Sequence, residues 1–210
     1  MPRKTKNYLV VIGDVVSSKK IPQRGSLQRR LSKGLQHLSS SMSLISPYTI
    51  TLGDEFQAVY GSGNDLFRGL FTIRKLLYPQ TCRFALSIGS ITTAINPRQA
   101  IGMDGPAFYD ARASIEILKA KKDLIALTGL SPQPQNILKS TLPLLWSSTD
   151  TWKLNRLNIM IGLLEKRSID SLAESLDLET RSVYKNIQEG DLNRWHEWVH
   201  TVEETIADFL

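Results

Sequence analysis

The sequence predicts an α+β unit followed by an all-helical segment. Three observations carry that prediction: β-branched apolar runs alternating with helical stripes up to residue 128, a Gly-Asp turn between two short strands, and helical periodicity after a proline-bearing break. The chain has 210 residues, 41% of them hydrophobic and 22% charged. This balance is that of a folded chain able to bury a core without covalent staples. The one cysteine, Cys82, excludes an intrachain disulfide and a cysteine-based zinc site. No apolar run reaches the ~18 residues of a membrane helix, and Tyr8 to Ile12 is too short for a signal-peptide core. The expectation is a soluble, cytoplasmic protein.

Tyr8 to Val16 is an apolar run that reads as a buried strand. Pro22 is placed to open a helix, and Leu27, Leu31, Leu35, Leu38 and Met42 form its apolar face. The serine-rich stretch Ser39 to Ser43 reads as its frayed end. Tyr48 to Leu52 and Glu55 to Tyr60 read as strands around the Gly53-Asp54 turn. Asp65 to Tyr78 reads as a helix stopped by Pro79, and Arg83 to Ile95 as a long strand with Gly89 at a bulge. A helix over Pro106 to Lys121 and a strand over Asp123 to Thr128 follow. The order β-α-β-β-α-β is the ferredoxin-like split βαβ arrangement, which predicts an antiparallel sheet with helices on one face. Gly129 to Asn136, carrying Pro132 and Pro134, marks the expected boundary between a domain at 1–130 and a helical domain at 131–210.

Charge is uneven. The net charge is +6 overall, with about +10 in residues 1–150 and about −4 in the remainder when side chains are counted at neutral pH. A basic surface suits phosphate-bearing partners, a nucleotide or a nucleic acid; it also serves solubility.

In the β-α-β-β-α-β order, strands one and three are neighbours. Asp14, at the end of the first strand, is therefore expected close to Asp54 in the hairpin turn, with Glu55 beside it. Neighbouring carboxylates need positive charge between them, and Mg²⁺ with phosphate oxygens supplies it; the alternative is that each aspartate only shapes a turn. Ser17, Ser18, Lys19, Lys20 and Arg24 follow Asp14 and offer amides and cations to phosphates, or form a solvated loop.

Four blocks, Gly13-Asp14-Val-Val-Ser-Ser, Thr51-Leu-Gly53-Asp54-Glu55-Phe56-Gln57, Arg83 with Ile88-Gly89, and Gly102-Met-Asp104-Gly105-Pro106-Ala107-Phe108-Tyr109 with Ala111-Arg112, resemble the SatD family. The resemblance implies a palm-like domain related to class III nucleotidyl cyclases and GGDEF domains, followed by a helix-turn-helix. It implies metal binding at Asp14 and Asp54. Beside them, Ser17, Ser18, Lys19, Arg24, Gly53, Glu55 and Arg112 are the candidates for nucleotide binding. The chain departs from the cyclase pattern. Ile50 stands at the base-selecting lysine position, and Tyr109 and Ala113 stand at the asparagine and arginine positions. Leu52 replaces the first glycine of the diguanylate cyclase pattern. The resemblance thus implies an ion site that persists without the groups that stabilise the transition state.

In the C-terminal part, Leu154, Leu157, Ile161 and Leu164 form one apolar stripe. Residues 168–189 resemble a helix-turn-helix, with Ala173 allowing close approach, Asp177-Leu178 in the turn, and Val183 and Ile187 facing the core. Thr180, Arg181, Ser182, Tyr184, Lys185 and Asn186 then face outward, where they are candidates for DNA contact. The negative charge of this segment opposes DNA binding, and such modules also contact proteins. Leu192, Trp195, Val199, Val202, Ile206 and Phe209 form a heptad-like seam, which either pairs two copies in a homodimer or folds back onto its own chain. His196-Glu197-Trp198-Val199-His200 matches H-E-x-x-H, but a catalytic zinc needs a third ligand in a cleft; the motif reads as a chance match. Together these features give the expectation of a DNA-binding regulator with a degenerate nucleotide- and Mg²⁺-binding sensor. The alternative is an active Mg²⁺-dependent nucleotidyl cyclase or nucleotidyltransferase-like enzyme.

Overall fold

The computed structural model describes residues 6–18 and 22–210. Five strands form one sheet: β1 (Asn7–Val15), β2 (Leu44–Ile50), β3 (Glu55–Tyr60), β4 (Cys82–Ser90) and β5 (Ile125–Thr128). The helices are α1 (Arg24–Ser40), α2 (Leu66–Leu77), α3 (Pro106–Lys121), α4 (Pro132–Ser148), α5 (Leu154–Leu164), α6 (Ile169–Leu176), α7 (Thr180–Glu189) and α8 (Leu192–Ala207). The strand order is β2-β3-β1-β4-β5. β1 runs antiparallel to both β3 and β4, as the split arrangement requires.

Two features of the sheet differ from expectation. β5 pairs with β4 in parallel, so the sheet is mixed. Helices also cover both faces. Leu9 and Val11 join the cluster under α1 and α2, whereas Val10, Ile12, Val59 and Ala85 pack against Ala107, Phe108, Ala111 and Ile115 of α3. The physical reason lies in β1 itself: an uninterrupted apolar run has no polar face to offer water and must be covered twice.

Element ends also moved. α1 starts at Arg24, two residues beyond Pro22, and ends at Ser40, where Ser40 and Ser41 hydroxyls donate to the carbonyls of His37 and Leu38. β2 begins at Leu44, because this edge strand accommodates Pro47 at a register irregularity. β4 ends at Ser90, five residues before the expected Ile95. Gly89 is not at a bulge; it pairs with Tyr8 in regular register, and a Cβ there would lie 3.1 Å from the Ala107 amide nitrogen. Glycine therefore lets the first turn of α3 approach the sheet.

The stretch Gly129 to Asn136 is no open linker. Pro132 and Pro134 lie in the first turn of α4, where a missing N–H costs nothing. One apolar cluster contains residues from both sides of this stretch. Its centre is aromatic: Phe71 stacks on Trp152 at 5.7 Å, and Trp146, Trp195 and Trp198 meet Phe67 or Phe71 edge-on or tilted. The seam of α8 faces inward. Leu192, Trp195, Val199, Val202 and Ile206 are all buried within the chain, so this seam is not free to pair with a second copy. Cys82 is buried, and burial pushes its thiol far up; it behaves as a small apolar side chain. No helix is long and apolar enough to cross a membrane among the described residues.

One contact joins α8 to α2 through charge. Glu203 Oε1 accepts a hydrogen bond from the Phe67 amide at 2.9 Å. Burial, with the nearby Asp65 charge, pushes the Glu203 carboxyl up to about 7, against the Phe67 amide and His200. A carboxyl whose folded-state value exceeds its unfolded value holds more protons when folded, so its contribution declines as pH rises through that interval. Urea unfolding at pH 5 and pH 8 checks this. The stability difference between wild type and Glu203→Gln should shift against the wild type by on the order of 2 kcal/mol between those pH values.

Candidate functional site at the end of the sheet

β1 delivers Asp14 to its C-terminal end. The register sets Asp14 opposite Glu55 on one side and Arg83 on the other. Residues directly opposed in an antiparallel pair point to the same face, so Glu55, Asp14 and Arg83 form one row across three strands. That row shares the face of Ile12, which is the face α3 covers. Asp54 sits one residue earlier in the β2–β3 turn, where Gly53 takes a positive φ of 63° and the Glu55 amide donates to the Leu52 carbonyl at 3.0 Å. A glycine there makes the left-handed turn without strain.

Each carboxylate holds an arginine. Arg83 Nη1 lies 3.1 Å from Asp14 Oδ2, Arg24 Nη2 lies 2.9 Å from Asp54 Oδ2, and Arg112 Nη1 lies 2.7 Å from Glu55 Oε1. The three arginines come from three elements. Arg83 is on β4, Arg24 reaches in from α1, and Arg112 reaches in from α3 on the opposite face. Arg112 also donates to Gln57 at 3.3 Å, and Thr51 Oγ1 donates to Glu55 Oε1 at 3.1 Å.

Asp54 is the most buried of the three acids, its side chain 7% exposed. Burial opposes its charge, but hydrogen bonds from Ser18, Arg24 and Gln28, with the Arg24 charge, more than offset it and hold the carboxyl below its ordinary value. Gln28 Nε2 donates to Asp54 Oδ1 at 2.9 Å and to the Gly53 carbonyl at 3.2 Å. Arg83 Nε is buried without a hydrogen-bond partner.

The sequence-derived set is therefore largely brought together. Asp14, Asp54, Glu55, Gly53, Arg24, Arg112 and Ser18 converge at this sheet end. Ser17 is exposed with a positive φ of 53°. Lys19 and Lys20 lie outside the described residues. Sequence reasoning missed Gln28 and the partnership of Arg83 with Asp14. The first was visible as the i+4 neighbour of Arg24 on one helix face; the second needs the strand register. Among the described residues, no group of three or more His, Cys, Asp or Glu side chains is placed to hold a metal ion. The acids that are present offer hard oxygen donors. Mg²⁺ commonly takes one or two carboxylates and completes its shell with water and phosphate; Asp14 and Asp54 are carboxylates of that kind, each already held by an arginine.

In the C-terminal part, α6 ends at Asp177 in the left-handed region and α7 starts at Thr180. Ser168 caps α6, its hydroxyl accepting from the Ser171 amide at 3.2 Å. Val183 and Ile187 are buried, as the spacing predicts. Thr180, Arg181, Tyr184 and Lys185 are exposed. Ser182 and Asn186 are only half-buried rather than outward; Asn186 Nδ2 donates to the Ser182 carbonyl at 2.9 Å. In the H-E-x-x-H stretch, Val199 is buried, while His200 is exposed and lies 3.3 Å from Glu204.

The family model for SatD matches residues 8–195. This chain belongs to the SatD family. The match spans both the sheet and the helices that follow it. Among solved structures, a bacterial light-regulated adenylyl cyclase is similar, with a TM-score of 0.45 and 16% identity over 60% of this chain and 77% of that chain. No curated protein matches the sequence.

The Arg24–Asp54 pair joins a buried acid to a half-exposed cation, so losing the cation leaves a carboxylate with fewer donors. Arg24→Gln should lower stability by about 1–2 kcal/mol, and Arg112→Gln, whose cation is half-exposed, by less than about 0.5 kcal/mol. Urea denaturation midpoints at constant slope check the order.

Proposed function

We propose that this SatD-family protein is a ligand-responsive regulator whose sheet-end site takes a Mg²⁺-bound nucleotide or a related phosphate compound. The observation that carries the reading is the trio of carboxylate–arginine pairs at one sheet end, fed by α1 and α3 from opposite faces. Mg²⁺, when bound, supplies the positive charge that both Asp14 and Asp54 need and a bridge to phosphate oxygens. Arg24 and Arg112 exchange carboxylate for phosphate, the anion their planar forks fit equally well. Ser18 and the Gly53 turn line the approach. Because Arg24 leads α1 and Arg112 sits in α3, a change of partner reaches helices on both faces of the sheet.

The output in this reading is the α6–α7 pair acting as a helix-turn-helix. Thr180, Arg181, Tyr184 and Lys185 meet DNA at the start of the second helix, with Ser182 and Asn186 fixing its first turns. The basic residues 1–150 supply phosphate attraction that the acidic C-terminal part lacks. If two copies act together, they pair through a surface other than the buried α8 seam.

A second reading is favoured by Arg112, one residue from the cyclase-pattern arginine position and already at the site: Mg²⁺-dependent nucleotidyl transfer. Thermal unfolding with nucleoside triphosphates, with and without Mg²⁺, tests the site. A triphosphate at about 100 times its Kd should stabilise wild type by about 2.7 kcal/mol, only with Mg²⁺, and not Asp14→Asn or Asp54→Asn. Absence of any Mg²⁺-dependent shift sinks both readings. Pyrophosphate release that stops in Asp14→Asn selects the second over the first.

A further inference from the structure

A separate cavity of about 410 Å³ lies between α1, α2, α5 and α6, away from the sheet-end carboxylates. Its wall carries His37 from the last turn of α1, Arg68 and Lys75 from α2, and Arg167 just before α6. Glu165 is the one acid on the wall, 3.9 Å from Arg68. Lys75 and His37 have no ion-pair partner among the described residues. The remaining wall is divided by chemistry. Leu38, Leu76, Ile161 and Leu176 are its apolar lining, and Thr72 and Asn158 add polar groups.

The two arginines are held in place. Arg68 Nε bonds Asp65 at 2.8 Å and its Nη2 donates to the Ser41 carbonyl at 3.2 Å. Arg167 Nη2 donates to the Ser171 carbonyl and the Ser175 hydroxyl at 3.0 and 2.8 Å. Two guanidiniums held in place, an ammonium and an imidazole without ion-pair partners, and apolar side chains beside them are the features of a site for a ligand with an anionic end and a flat apolar body. Glu165 offers an acceptor to a donor on that body.

We infer that this cavity binds a small phosphate monoester carrying a ring, of nucleoside monophosphate type. Lys75, His37 and the arginine wall hold the phosphate, Leu38, Leu76 and Ile161 hold the ring, and Glu165 accepts from a ring or sugar donor. The volume lies in the range of pockets that enclose such ligands. A ligand there touches α1 and α2 on one side and α5 and α6 on the other, so it ties the sheet-facing helices to the α6–α7 pair. This inference does not rest on the sheet-end reading and requires no Mg²⁺.

Calorimetric titration of the full chain with adenosine, guanosine, cytidine and uridine monophosphates, in the absence of Mg²⁺, tests it. The parent nucleosides and inorganic phosphate serve as comparisons. At least one monophosphate should bind more tightly than both its nucleoside and phosphate alone. His37→Gln/Lys75→Gln, both exposed and free of ion pairs, should weaken it about tenfold, the change expected for about 1.4 kcal/mol of charge-assisted bonding. Asp14→Asn should leave it unchanged. The inference is overturned if no monophosphate binds at millimolar concentration, if the double variant binds as wild type does, or if Asp14→Asn abolishes binding.

Discussion

The structure depends on β1 being buried on both faces at the centre of the sheet. Leu9, Val10, Val11 and Ile12 are fully buried, so neither face of the strand can be left to water. Alternation sends Leu9 and Val11 toward α1 and α2 and sends Val10 and Ile12 toward α3. A one-residue slip would exchange the two sets, so the register with β3 and β4 is strongly fixed. Fixing that register also fixes where the strand stops being apolar. At that point stand Gly13 and Asp14, and the same ladder brings Glu55 and Arg83 into line with Asp14.

Much of the chemistry follows from this end of the ladder. A row of acid, acid and base across three strands balances poorly by itself, with two carboxylates for one guanidinium. Arg112 from α3 balances the row through Glu55, and Arg24 from α1 balances Asp54 in the adjoining turn, each from its own face of the sheet. An ion-pair set assembled from separate elements is easily re-partitioned, because no single pair is both fully buried and alone; Arg24 and Arg112 keep 40% and 50% of their side chains exposed. A competing anion and cation entering together would find every group they need already oriented. That is the physical basis of the regulatory reading.

The sequence displayed most of this architecture through periodicity. The apolar face of α1, the Gly53-Asp54 turn and the burial of Val183 and Ile187 were legible because each depends on local spacing. The second covered face of the sheet was encoded in the unbroken apolar run of β1, but the one-face expectation drawn from the split βαβ order concealed it. The Arg83–Asp14 pair and the inward turn of the α8 seam depend on contacts distant in sequence. A heptad-like stripe has the same spacing whether it meets another chain or its own Phe67 and Phe71, and only the aromatic packing around Trp195 and Trp198 decides between them. At the candidate site, both aspartates and Arg112 stand in the motif blocks, whereas Arg24 is read from the basic stretch that follows Asp14. Gln28 escaped because a neutral amide carries no charge signal.

The central claim is that arginines at the sheet end exchange carboxylate for phosphate when a Mg²⁺-bound nucleotide arrives. Side-chain NMR of arginine guanidinium groups, assigned through Arg24→Lys, Arg83→Lys and Arg112→Lys, observes that exchange directly. On titration with a triphosphate that stabilises the protein in the presence of Mg²⁺, the Arg24 and Arg112 signals should shift with a common saturation curve while those of the remote Arg156 and Arg194 stay in place. Saturation of the ligand with Arg24 and Arg112 unmoved would contradict the account.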